Sequence, residues 1–298
     1  MKVLCFGSIN LDYTYRVKHF VTKGETLSAD SLQVFSGGKG MNQAIALSKA
    51  GADTWIAGAV GEDGKQLLGQ LEEAGVCTEF VKILRQERTG TAIIQNDAEG
   101  DNCILLYGGA NRTIGAGQAE EVLGHFGEGD FLVLQNEISG TPYIMEKAHK
   151  QKMKIVLNPS PMEEALLGYP LEYVDYLILN EVEALQVLGR EGQLEGAGLF
   201  HAVSERFPSA VIVLTVGAQG AYFSAGESVR HQPAYPVKAV DTTGAGDTFT
   251  GFLIGGLTRG LPIGEAMDLA AKASALAVTR NGAAPSIPEL AEVEGWAL

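Results

Sequence analysis

Short apolar runs recur along the chain, each closed by turn residues and followed by a stretch of helical period. The runs at 3–6, 55–60, 131–135, 155–157, 176–179 and 211–216 carry few polar residues, as strands covered on both faces do. Between them the spacing predicts helices over 40–50, 65–74, 142–150 and 247–259. Gly51 and Gly75 stand just past two of these helices, where the left-handed C′ position suits a residue without a Cβ. Strands alternating with helices imply an α/β fold with a mostly parallel sheet and helices packed on its faces.

Two stretches, about 13–35 and 89–107, break the pattern. In the second, Thr91-Ala92-Ile93-Ile94-Gln95 and Cys103-Ile104-Leu105-Leu106-Tyr107 flank a polar turn at 97–101, the mark of a β-ribbon. Ribbons outside the main sheet suit a lid over a cleft, or else dimer-forming edges. No repeat of 20 to 50 residues and no low-complexity linker interrupts the chain, so 1–298 is expected to form one α/β domain with an inserted lid.

The net charge of −14 and the lack of a basic stripe of Lys and Arg argue against a nucleic-acid partner, so any anionic substrate must be held locally. The three cysteines, Cys5, Cys77 and Cys103, are widely spaced with no CxxC pair, which fits reduced thiols in a cytoplasmic protein. The N-terminus reads as a first core strand and not as a signal peptide. The longest apolar candidate, 251–257, is far too short to span a bilayer, so no membrane partner is expected.

The segment richest in chemistry is Val240-Asp241-Thr242-Thr243-Gly244-Ala245-Gly246-Asp247-Thr248-Phe249, between a strand-like 234–240 and an apolar helix. Gly244, Ala245 and Gly246 let backbone approach a ligand closely. The unpaired N–H groups of a helix start favour the negative charge of a transferring phosphoryl group. Asp247 at that terminus can take a proton from an attacking hydroxyl. A plainer reading makes Asp247 a helix cap and the glycines a tight turn.

The string Asp241-Thr242-Thr243-Gly244-Ala245-Gly246-Asp247-Thr248-Phe249 resembles the C-terminal signature of the ribokinase-like (PfkB) carbohydrate kinases, and Gly37-Gly38-Lys39-Gly40-Met41-Asn42 resembles their N-terminal one. The similarity runs from Gly7-Ser8-Ile9-Asn10-Leu11-Asp12 to Ala283-Ala284-Pro285-Ser286-Ile287-Pro288 and is strongest to the ribose-phosphorylating members. It implies a three-layer sandwich with a mostly parallel central sheet and a small β-sheet lid. It also implies transfer of the γ-phosphoryl group of ATP to a small sugar, D-ribose giving ribose 5-phosphate. In that family Asp247 is the matching catalytic base, with Gly244, Ala245 and Gly246 as the anion hole. The sugar would be held by Asn10, Asp12, Gly38, Lys39, Gly40, Asn42, Glu137 and Asp247; amides, carboxylates and an ammonium together satisfy both sides of several hydroxyls.

For the nucleotide the resemblance points to Asn180, Thr215, Gly217, Gly220 and Gly246. It assigns Glu183 to Mg2+, held through water, whereas Glu181 reads as a first-turn carboxylate favoured by the helix dipole. It implies a monovalent cation, K+, beside Asp241, Thr243, Ala277, Arg280, Gly282 and Ser286, and a homodimer formed through the lid. Met41 and Tyr13 depart from the usual pattern next to the presumed sugar contacts, which leaves the sugar open. Fructokinase, ketodeoxygluconate kinase and nucleoside kinase activities remain on the same scaffold, and a catalytically silent sugar- or nucleotide-binding protein is the alternative of another class. A dinucleotide-dependent dehydrogenase is disfavoured, because Gly7-Ser8-Ile9-Asn10-Leu11 lacks the GxGxxG turn.

Overall fold

The computed structural model describes residues 1–99, 101–190, 194–226 and 228–296. Its strands are β1 (Lys2–Phe6), β2 (Asn10–Arg16), β3 (Ser31–Gly37), β4 (Asp53–Gly61), β5 (Cys77–Leu84), β6 (Gly90–Asn96), β7 (Asn102–Tyr107), β8 (Phe131–Leu134), β9 (Lys154–Leu157), β10 (Tyr176–Asn180), β11 (Val211–Thr215), β12 (Ala221–Ala225) and β13 (Ser228–Gln232). The helices are α1 (Lys39–Lys49), α2 (Lys65–Glu73), α3 (Ala116–Leu123), α4 (Thr141–Lys150), α5 (Glu181–Val187), α6 (Gly196–Arg206), α7 (Ala245–Thr258), α8 (Ile263–Ala277) and α9 (Leu290–Gly295).

The main sheet has the order β13-β12-β11-β10-β9-β8-β1-β4-β5, parallel from β11 to β5, with β12 and β13 antiparallel at one edge. Alternation along β1 sorts the core into two layers. Val3 and Cys5 pack with Met41 and Leu47 of α1, Phe252 of α7 and Met267 of α8, whereas Leu4 and Phe6 pack with Leu123 of α3, Met145 of α4 and Phe200 of α6. Full burial of a side chain such as Phe6 or Phe252 contributes roughly 1.5–3 kcal/mol, so both helical layers are anchored to the sheet.

From β1 the chain builds outward through β4 and β5, then returns to the other side of β1 with β8 and continues through β9, β10 and β11. The order therefore reverses between β1 and β8. At such a switch point the loops leaving the strand carboxyl ends part, and a crevice opens where ligands bind. The segments at that crevice are 7–10 after β1 and 135–140 after β8.

The two irregular stretches come together as one accessory sheet, β3-β2-β6-β7, in which β2 and β6 are parallel and the other pairs antiparallel. The first stretch runs from Asn10 to Gly37, slightly wider than the sequence suggested, and the second from Gly90 to Tyr107, as expected; Gly100, in the expected turn of the second ribbon, lies outside the described residues. Leu32, Val34, Leu105, Leu106 and Tyr107 are exposed on this sheet. The segment 234–240, expected to be extended, is not a strand. Pro236 removes a backbone donor there, which a ladder inside a sheet would need, and the Val240 N–H goes to the Val278 carbonyl at 2.7 Å, outside any strand. Among the described residues no helix is long and apolar enough to cross a membrane.

Candidate active site

The Gly-rich loop runs directly into α7. Gly244 is the N-cap at φ 74°, with no side-chain cap, and Asp247 is the third helical residue. Asp247 therefore does not cap the helix, and the plainer reading of this motif is corrected. Its carboxylate is 6 % exposed and is held by amides from α1: Asn42 Nδ2 donates to Oδ2 at 3.1 Å and Gln43 Nε2 to Oδ1 at 2.9 Å.

Backbone donors collect at the same terminus. The Ala245 N–H donates to the Thr242 carbonyl at a long 3.2 Å, while those of Gly244, Gly246 and Asp247 take no protein partner among the described residues. Helix-start amides of this kind favour an anion. Gly246 lines two adjoining cavities, and a Cβ built there would meet nothing within 4 Å beyond its own helix and chain neighbours. The larger cavity, about 610 Å3, is mostly apolar, bounded by Tyr235, Val237, Phe249, Ala271 and Val278 together with Thr215, Gly217 and Gly220. The smaller, about 230 Å3, is polar, bounded by Lys39, Asn158, Asn180, Glu183, Gly244 and Asp247. Asn180, Thr215, Thr242, Ala245 and Gly246 border both, so a flat apolar group and a chain of phosphates attached to it could lie end to end, finishing at Asp247.

The remaining residues expected at the sugar gather at the crevice between β1 and β8. Glu137 Oε2 accepts the backbone N–H of Lys39 at 3.0 Å and a short bond from the Ser8 hydroxyl, tying α1 to both sides of the switch point. Gly40 allows this closeness, since a Cβ there would stand 2.4 Å from the Ser8 nitrogen. Asn10, 6 % exposed, accepts at Oδ1 from Asn111 Nδ2 at 2.7 Å, and Asn111 is itself fixed by the Ile9 N–H at 3.1 Å. Asn10 is thereby turned so that its own amide nitrogen is the group left for a ligand. Asp12 Oδ1 and Asn42 Oδ1 are buried acceptors without a protein donor among the described residues, which suits a ligand rich in hydroxyl donors. Asn10, Asp12, Asn42 and Glu137 do not line either cavity; Glu137 is bonded to Lys39 and Asn42 to Asp247, both of which line the polar one.

Charge is concentrated here. Burial pulls the Lys39 ammonium down, but Asp247, Glu137 and Glu183 outweigh it and hold the group above the ordinary lysine range, so it stays a cation. Burial first, and then Glu137 and Asp247, push Asp12 up to about 7. The folded protein therefore binds a proton at Asp12 that the unfolded chain gives up from about pH 4. In that window the native state holds more protons than the unfolded one, so this group makes stability fall as pH rises toward 7. Asp12→Asn is expected to flatten that component: between about pH 4.5 and 7.5 the Tm of the variant should decline less than that of the parent. A parallel decline in both would refute it.

Asn180 and Glu183 form a reciprocal cap on α5: Asn180 Oδ1 accepts from the Glu183 N–H at 2.9 Å, and Glu183 Oε2 from the Asn180 N–H at 3.0 Å. The cap leaves Glu183 able to hold a ligand, because the carboxylate is buried at the wall of the polar cavity and spends one oxygen on the cap. Among the described residues no group of three or more His, Cys, Asp or Glu could cage a metal, so a divalent ion here would rely on phosphate oxygens for most of its coordination.

Segments 240–244 and 277–286 are stitched together. Asp241 Oδ1 accepts from the N–H and hydroxyl of Thr243 at 2.9 and 2.6 Å, and Oδ2 from the Gly282 N–H at 2.8 Å, while the N–H of Val240 reaches the Val278 carbonyl at 2.7 Å. Burial raises the Asp241 carboxyl, but the Thr243 and Gly282 hydrogen bonds overcome that and leave it below the ordinary range. Ser286 is buried with its hydroxyl on the Ala283 carbonyl, the Ala277 carbonyl accepts from the Arg280 N–H at 3.0 Å, and the Arg280 side chain pairs with Glu292. An ionised carboxylate and several carbonyls at one loop crossing are the oxygen donors a monovalent cation needs.

Met41 and Tyr13 do not border the crevice as expected. Met41 is fully buried in the core, and Tyr13 alternates to the face of β2 opposite Asp12 and packs on that core. Gln43, Gln135, Asn111 and Ser8 belong to the site without having been singled out from sequence. The signal available for them was adjacency to the Asn10 and Asn42 motifs, and for Gln135 a polar residue closing an apolar run.

The chain as a whole is similar to known proteins. A model of the pfkB family of carbohydrate kinases matches residues 1–290. A ribokinase of Staphylococcus aureus is 35% identical over 303 residues, covering 98% of each chain. The crystal structure of a ribokinase from Cryptococcus neoformans in complex with ADP superposes with a TM-score of 0.86 at 33% identity, covering 98% of both chains. An Arabidopsis thaliana ribokinase complexed with ribose and ATP also gives 0.86, at 29% identity over 98% of this chain and 97% of that one.

Proposed function

Because the chain belongs to the pfkB family of carbohydrate kinases, we propose that it phosphorylates D-ribose to ribose 5-phosphate with ATP, using Asp247 as the base. It is an ATP-dependent sugar kinase of the ribokinase type. The observation that carries the assignment of Asp247 is its position: a buried carboxylate, fixed by two amides, where the polar cavity meets the unpaired helix-start N–H groups.

In this reading the adenine and ribose of ATP occupy the apolar cavity, and the phosphates cross Gly246 into the polar one. The sugar enters from the crevice side, between Asn10, Asp12, Asn42 and Glu137 and the carboxylate of Asp247. Asp247 takes the proton of the attacking hydroxyl as the oxygen bonds to the γ-phosphorus and the bond to the ADP oxygen breaks. The helix-start amides and Lys39 balance the charge on the migrating group. Glu183, with Asn180 behind it, would hold Mg2+ through water; the ion supplies neutralisation of the phosphates. The 240–244 and 277–286 crossing would hold K+, which stiffens the loop carrying Gly244 to Gly246. The accessory sheet acts as the lid of a single α/β domain, and its exposed Leu32, Val34, Leu105 and Tyr107 favour pairing with a second copy, checkable as molar mass by light scattering.

A panel of ribose, deoxyribose, fructose, ketodeoxygluconate and adenosine in a coupled ADP assay tests the substrate. Ribose should give the highest kcat/KM, and replacing Na+ with K+ should raise turnover. Fastest turnover on adenosine would overturn the ribose assignment.

A further inference from the structure

We infer that Gln135 and Gln43 form a positioning relay that fixes the orientation of the Asp247 carboxylate; the inference rests on the reading of Asp247 as the base. Gln135 follows β8, Gln43 lies on α1 and Asp247 on α7, three elements that meet at the switch point. The two glutamines are 1 % and 0 % exposed, far from any role in solvation. Amide groups that deep are costly unless each polar atom finds a partner, and where partners exist they dictate which way the amide faces.

For Gln43 every polar atom is spoken for. Its Nε2 donates to Asp247 Oδ1 at 2.9 Å and approaches Asn158 Oδ1 at 3.5 Å, while its Oε1 accepts from Gln135 Nε2 at 2.7 Å. Turned over, Gln43 would set an oxygen against the Asp247 carboxylate. Gln135 forbids that, since a donor on its side requires the Gln43 oxygen there. Gln135 Nε2 also lies 3.7 Å from the Sγ of Cys5, whose thiol donates to the Gly40 carbonyl at 3.2 Å. Gln135 Oε1 is buried without a protein donor among the described residues, so the orientation of Gln135 rests on its Nε2 contacts. Burial pushes the Cys5 thiol up to about 12, so it keeps the proton that the bond to Gly40 needs. The hydrogen-bonded chain is thus anchored on a backbone carbonyl of the same glycine-rich turn that carries Asn42, the second amide on Asp247.

Neither glutamine borders either cavity. Loss of the relay should therefore act on turnover and not on binding. Gln43→Met removes the donor to Asp247, and kcat should fall by about 10²-fold, the scale of misplacing a reacting group. Gln135→Met keeps the volume and leaves Gln43 free to turn, so kcat should fall roughly tenfold, as for one partner of a coupled network. The sugar and ATP KM values should stay within about threefold of the parent. The double variant should be no slower than Gln43→Met alone, because Gln135 then has no amide to orient. Parent-like kcat in Gln135→Met, a double variant slowed by the product of the two losses, or an effect confined to KM would each overturn the relay. If Gln135→Met does not fold, parent-like kcat in Gln43→Met overturns it equally. Asp247→Asn, run in the same assay, separates the two readings: parent-like turnover there sinks the assignment of the base, whatever the glutamine variants do.

Discussion

Asp247→Asn should lower kcat by about 10²–10⁴-fold, the range typical of losing a general base, while sugar and nucleotide affinity change little. The substitution is nearly isosteric, and it leaves an oxygen able to accept from Asn42 or Gln43, which together supply the two amide donors. It removes the capacity to take a proton from the attacking hydroxyl. Calorimetric titration with the sugar beside steady-state turnover would separate the two effects. Lost binding with proportionately lost turnover would make Asp247 a sugar ligand and no base, and unchanged turnover would place the proton transfer elsewhere.

The second large effect is expected at Gly246→Val. A Cβ there would meet nothing within 4 Å beyond its own helix and chain neighbours, so the fold has room for it, and Tm should stay near that of the parent. The added methyl groups would instead occupy space shared by both cavities, beside the N–H groups assigned to the phosphates. We expect kcat/KM for ATP to fall by roughly 10²–10³-fold, comparable to the loss of an oxyanion donor. A folded variant with parent-like kinetics would mean that the phosphates do not pass this residue. A substantially lower Tm would mean instead that the glycine serves packing.

These two positions were legible in the sequence because short-range geometry determines them: glycines and an aspartate directly before an apolar helix must collect at that helix's start. The βα alternation likewise displayed the parallel sheet, since strands covered on both faces lose their polar alternation. Less was visible where partners are remote. Gln43 meets Asp247 across 204 positions and Gln135 across 92, and no periodicity marks an amide destined to face another amide. Asn111 reaches Asn10 across 101 positions in the same way. The segment 234–240 reads as strand-like in the sequence but joins no ladder, because Pro236 denies it a donor; it instead walls the apolar cavity through Tyr235 and Val237. Asp12 shows the converse: its motif was plain, but the burial and neighbouring carboxylates that raise it to about 7 exist only once β2, Glu137 and α7 have converged.

The most direct measurement is a crystal structure of the protein with ribose and a non-hydrolysable ATP analogue. The account predicts an Asp247 oxygen within about 2.6–3.2 Å of a single ribose hydroxyl, with that hydroxyl facing the terminal phosphate across the Gly244 to Gly246 loop. A ribose whose hydroxyls all lie beyond reach of that carboxylate, or a terminal phosphate seated away from the start of α7, would contradict it.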